Sequence, residues 1–147
     1  MYKRQDLEAV LEAQQRGDLN IPGTEVVLMG HSLGALTALL ASGAELVPGI
    51  AQRCEAALAG LPLTNLSELL QCELAAGRVL EGKVMDPPPR AVVGLNSFGG
   101  LIWPHRASRA LPIPLLMVGG TLDLITPPLD EQLALFCLLY TSPSPRD

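Results

Sequence analysis

Basic residues are scarce in this chain: ten lysines and arginines stand against fifteen acidic side chains in 147 residues, a net charge of −5. That balance gives a phosphate backbone or an anionic membrane no electrostatic hold, so neither nucleic acid nor an anionic membrane surface is expected as a partner. Cysteine is also sparse. Cys54 and Cys72 fall in predicted helices with neither a C-x-x-C pattern nor metal-ligand spacing. Two buried thiols are expected, with a disulfide between them as the open alternative. No apolar run approaches the roughly 20 residues that cross a bilayer, so no transmembrane segment is expected. With 48% hydrophobic residues the chain is globular in type, and its length suits one domain or part of one.

What the chain does have is a strand-to-helix junction. The run Val26-Val27-Leu28-Met29 leads directly into Gly30-His31-Ser32-Leu33-Gly34, and a stretch rich in alanine and leucine follows. A serine on a tight turn between a buried strand and a helix has its hydroxyl lifted above the sheet, where it can act as a nucleophile. Gly30 and Gly34 suit such a turn because a side chain two residues either side of the serine is expected to collide with the neighbouring strand or the helix start. The first free N–H groups of the helix, that of Leu33 foremost, can serve an anion forming beside Ser32. A plain turn in which Ser32 caps the helix is the alternative. His31 adjoins the serine, but neighbours on so tight a turn point apart, so it is read as a packing or hydrogen-bonding residue rather than a general base.

Strands and helices alternate around this junction. Leu7, Val10, Leu11 and Gln14 follow helical spacing and predict a helix over Asp6 to Arg16, closed by Gly17; Glu25 to Met29 is the strand after it. Leu36, Leu39 and Leu40 form a buried stripe beside the small Ala35, Ala38 and Ala41, and Ser42-Gly43 ends that helix. Two helices are expected between Val47 and Leu80. The first has an apolar face of Ile50, Cys54, Ala57 and Leu58. The second presents Leu66, Leu69, Leu70 and Leu74, with Asn65 and Glu68 as a capping box. Arg90 to Leu95 and Pro112 to Gly119 read as buried strands. The order is that of a doubly wound parallel α/β sheet, in which ligands bind beyond the carboxyl ends of the strands. Ser32, Asn96 to Gly100 and Thr121 to Asp123 fall at those ends, and Asn96 and Ser97 are expected to line the cleft.

In this context Gly30-His31-Ser32-Leu33-Gly34 resembles the nucleophile elbow of the α/β-hydrolase superfamily. Leu61 to Leu70 and Pro114 to Asp123 are similar to bacterial esterases described as predicted dienelactone hydrolases, which are akin to platelet-activating-factor acetylhydrolases. The resemblance implies a partial α/β-hydrolase fold, truncated at both ends. The helices at about 47–80 would form a cap over the site, with ordinary surface helices as the equal alternative. It also implies a serine hydrolase acting on a small carboxylic ester, with no metal or organic cofactor; the leucine-rich cap points to an apolar acyl or alcohol group, and thioesterase, lipase, lactonase and acyltransferase activities stay open. Ser32 would be the nucleophile, the Leu33 N–H an oxyanion-hole donor, and Gly30 and Gly34 the elbow glycines. Asp123 would be the acid, because Gly120 to Pro127 matches the family's G-x-x-D-x-x-x-P pattern, with a plain turn residue or helix cap as the alternative. The platelet-activating-factor group carries its acid one strand earlier, at the position of Asn96, which cannot hold the charge; Asp130 is the second candidate. The family order is serine, acid, histidine, whereas His31 and His105 both precede Asp123. The base and the second oxyanion donor are therefore expected from a longer parent protein. A non-catalytic hydrolase-fold protein that binds a small ligand is the rival expectation.

The two ends resemble something else. Cys137 to Asp147 is similar, residue for residue, to one reading frame of a transposase-type sequencing adapter, and Met1 to Gln5 to the opposite strand of the same adapter. This resemblance implies that 1–5 and 137–147 are foreign segments without fixed structure, flanking a core at 6–136. Setting aside Lys3, Arg4, Arg146 and Asp147 leaves seven basic and fourteen acidic residues, a balance of −7.

Overall fold

The computed structural model describes residues 3–23, 25–60, 66–77, 84–104 and 111–139. In chain order they form α1 (Lys3–Gln15), β1 (Val27–His31), α2 (Leu33–Ala41), α3 (Ile50–Ala59), α4 (Leu66–Ala76), β2 (Ala91–Leu95) and β3 (Leu115–Val118). A last helix opens on a π-helical turn, Pro128–Leu133, and continues as α5 (Ala134–Leu139). The three strands are parallel in the order β1-β2-β3, a small open sheet with flanking helices. Leu28, Val92 and Leu115 lie abreast, as do Gly30, Gly94 and Met117.

Strand side chains alternate between the two faces of a sheet. On the inner face Leu28, Val92 and Leu115 are buried against Leu36 and Leu39 of α2, with Phe98, Ile102, Trp103, Leu135 and Leu139 completing the core. Each such leucine contributes about 2 kcal/mol by leaving water. Helix α2 approaches β1 and β2 closely because the sequence puts small residues at the contact: a Cβ built on Gly94 would lie 3.7 Å from that of Ala35. Ser42 and Gly43, the latter at φ +100°, close the helix as the sequence indicates.

The outer face differs from the expectation of strands buried on both sides. Val27, Met29, Leu116 and Val118 are each about half exposed or more, and no described helix covers them. The cause is topological. Passing from β1 to β2 to β3 the chain advances in one direction, and right-handed crossovers then place the connections on the same side. β1 also starts later than expected and runs through Gly30 to His31.

The two middle helices form where predicted, but their details change. Cys54 and Cys72 are joined in a disulfide between α3 and α4, with Cα atoms 5.5 Å apart, so the expectation of two free thiols is corrected. The buried face of α4 is Ser67, Gln71, Cys72 and Leu74, whereas Leu66 and Leu69 are exposed. The polar pair is turned inward because a buried carboxylate, described below, needs donors there. Asn65, the expected cap of α4, lies outside the described residues.

At the ends, α1 already begins at Lys3, and α5 runs through the exposed Cys137 to Leu139. The Leu139 side chain is buried in the core and its carbonyl accepts the Leu111 N–H at 2.8 Å. The expectation of no fixed structure therefore fails for 3–5 and 137–139. A helix extends readily once nucleated, and Leu139 falls one turn beyond the buried Leu135 on the same stripe. Residues 140–147 lie outside the described set.

Candidate active site at the carboxyl edge of the sheet

Ser32 sits between the last residue of β1 and the first of α2 with φ +53° and ψ −117°. For a residue with a side chain this conformation costs on the order of 1–3 kcal/mol and persists only where the surroundings impose it. Here both neighbours do. The Ser32 N–H donates to the Leu95 carbonyl at 2.8 Å, tying the turn to the end of β2, and its own carbonyl accepts the N–H groups of Ala35 and Leu36 at 2.9 and 3.2 Å. Its hydroxyl makes no capping bond, so the alternative of a plain helix cap is not realised. Leu33 and Gly34 supply the first two N–H groups of α2, ahead of the first intrahelical bond.

The two glycines are not equivalent. A Cβ on Gly30 would lie 2.2 Å from the backbone C and O of Gly34, a contact that the turn cannot relieve. A Cβ on Gly34 would meet nothing within 4 Å, which corrects the expectation that both are sterically required. His31 is exposed at the end of β1, opposite Leu95. His105 lies outside the described residues.

Asn96 follows β2 as Ser32 follows β1, and it too has a left-handed backbone, φ +44°. Its N–H donates to the Val118 carbonyl at 2.8 Å, joining the ends of β2 and β3. Its side-chain amide donates to Asp123 Oδ2. The same oxygen accepts the Thr126 hydroxyl at 2.7 Å, while Oδ1 accepts the N–H groups of Ile125 and Thr126 at 2.9 Å each. These donors hold the Asp123 carboxyl well below the ordinary aspartate value. The Thr126 hydroxyl contributes most and its N–H next; partial desolvation opposes them, and Asn96 and Ile125 add to the lowering. Ser32, Asn96 and Asp123 thus follow β1, β2 and β3 along one carboxyl edge. Ser97 does not line it: the side chain is fully buried and its hydroxyl has no partner among the described residues. Asp130 is exposed on the π-helical turn, where its charge acts on Glu68.

Sequence reasoning missed Glu131. This carboxylate is 2% exposed; Oε1 accepts from Ser67 Oγ and from Gln71 Nε2 at 3.1 Å, and Oε2 accepts the N–H groups of Gly99 and Gly100 at 2.8 Å each. Gln71 Oε1 accepts the Leu101 N–H at 2.9 Å, and the Arg53 guanidinium donates to the carbonyls of Val47, Pro48 and Leu101 at 2.6–2.8 Å. Both middle helices are therefore pinned to the loop that leaves the carboxyl end of β2. The signal was present as the i, i+4, i+8 stripe Glu131, Leu135, Leu139. Nearby, the Glu68 carboxyl is raised by desolvation first and then by the charges of Glu131 and Asp130.

Among the described residues no group of histidine, cysteine or acidic side chains could hold a metal ion, and no helix is long and apolar enough to cross a membrane. Comparison with family models, curated proteins and solved structures returned no match to this chain.

Proposed function

We propose that this chain carries the nucleophile and the acid of a serine hydrolase acting on carboxylic esters. The observation that carries the reading is the conformation of Ser32: a left-handed serine, held by its backbone on a strand-to-helix turn at the carboxyl edge, beside the first N–H groups of a helix. In the proposed reaction Ser32 Oγ attacks the ester carbonyl and its proton passes to a histidine of the parent protein. Asp123 orients that histidine and stabilises its charged form. The Leu33 N–H faces the oxyanion, the alcohol leaves with the proton, and water releases the acyl group from Ser32. No metal or organic cofactor enters these steps.

The test is made on the parent protein and on the chain alone. The parent is expected to hydrolyse p-nitrophenyl esters, with Ser32→Ala abolishing turnover and Asp123→Asn lowering it strongly. The 147-residue chain alone should run little above background, since loss of a triad member costs up to on the order of a million-fold in subtilisin. A parent that turns over neither short nor long acyl esters, yet binds a small ligand tightly, would establish the rival reading of a binding protein.

A further inference from the structure

The Asp123 carboxylate is fully subscribed. An ionised carboxylate offers about four lone-pair positions, and four donors occupy them: the N–H groups of Ile125 and Thr126 on Oδ1, and the Thr126 hydroxyl and Asn96 amide on Oδ2. A histidine that is to be oriented by this acid must donate a ring N–H to one of the same oxygens. One present donor then has to leave.

The four are not equally free to do so. The two main-chain donors lie within three residues of Asp123 and can withdraw only if the turn unwinds. Thr126 is 2% exposed, and its hydroxyl is held between Asp123 and the Asn96 carbonyl, 3.3 Å away. Asn96 alone reaches Asp123 from another strand, through a half-buried side chain. It also stands in the way. Asn96 follows the middle strand, while Ser32 and Asp123 follow the strands on either side. A ring bridging from Ser32 to Asp123 must pass over it.

We propose that Asn96 gates the acid: its amide occupies the Asp123 Oδ2 position that a bridging imidazole requires, and a base engages Asp123 only when that amide is displaced. Asn96 is in this sense a positioning residue, acting through Asp123, and the proposal rests on the reading of Ser32 and Asp123 given above.

Free imidazole is the probe, titrated into the chain as it is while the Asp123 carboxyl is followed by carbon-detected NMR. Asn96→Gly removes the amide and keeps a residue at ease with positive φ; Asn96→Ala is the second variant should the glycine loosen the fold. Either is expected to bind imidazole at Asp123 about tenfold more tightly than the unaltered chain, the worth of one hydrogen bond to a charged group. Asp123→Asn on that background should remove the binding. Equal affinity with and without the Asn96 side chain, or no binding in either variant, overturns the gate. Imidazole-dependent cleavage of p-nitrophenyl acetate, corrected by Ser32→Ala for the reaction of free imidazole, is then measured on the same variants. The binding gain decides whether Asn96 occupies the Asp123 position, whereas the nucleophile reading is decided separately by Ser32→Ala in the parent protein, where unchanged ester turnover would fail it.

Discussion

Gly30 and Gly34 carry the same residue for unequal reasons, and the difference can be measured. Gly30→Ala forces a Cβ to within 2.2 Å of Gly34 backbone and is expected to cost several kcal/mol, as overpacking against atoms that cannot move does. Gly34→Ala meets open space in the first turn of α2 and is expected to be neutral or to gain up to about 1 kcal/mol from helix propensity. Urea midpoints of the two variants check both; equal losses would show that the elbow is constrained differently. Asp123 gives a prediction in pH. Its pKa is lower folded than unfolded, so the stability it supplies is fully present above the ordinary aspartate value of 3.8 and is lost as pH falls below that value. The stability difference between the chain and Asp123→Ala should therefore be constant from neutral pH to about pH 5 and shrink below pH 4. A difference that fell away between pH 7 and 5 would contradict the assigned hydrogen bonds.

Helix α4, joined to α3 by the disulfide, is also held through the buried side chain of Glu131. Glu131 satisfies four donors from α4 and from the loop after β2. Glu131→Ala leaves buried N–H groups unpaired and is expected to destabilise by about 3 kcal/mol, with Glu131→Gln losing less because its amide oxygen still accepts. Trp103, the single tryptophan, lies on that loop and donates to the Glu45 carbonyl at 2.7 Å, so its fluorescence reports whether the loop moves. An unchanged urea midpoint and emission spectrum in Glu131→Ala would mean that the helices are held by other contacts. The existence of both helices was legible in the apolar spacing of Ile50, Cys54 and Leu74. Their attachment was not, because it runs through Gln71, Ser67 and Arg53, polar residues that no apolar period marks.

At the scale of the molecule the dominant feature is a sheet of which the described residues cover one face. Val27 and Met29 of β1 and Leu116 and Val118 of β3, with Ala91, Val93 and Leu95 of β2 between them, form an apolar surface in register, and such surfaces favour association. The chain is expected to bind the dye 1-anilinonaphthalene-8-sulfonate and to associate with rising concentration. Leu116→Lys should weaken both while changing stability by no more than about 0.5 kcal/mol. Sedimentation velocity across a concentration series decides it: a monomer at all concentrations would show that the face is covered in solution.

The sequence by itself determined what depends on near neighbours. The strand, the glycine at 30, the strained serine and the small-residue helix lie within about fifteen consecutive residues, where alternation, propensity and turn sterics act directly. The same holds for the two middle helices and for β2 and β3, each announced by its own apolar period. Tertiary structure decided everything that joins distant residues. Cys54 finds Cys72 across 18 residues, Asn96 finds Asp123 across 27, and Ser67 finds Glu131 across 64. Which donors a buried carboxylate meets, or whether a strand face is left open, depends on the path of the chain and the hand of its crossovers, which no local period encodes.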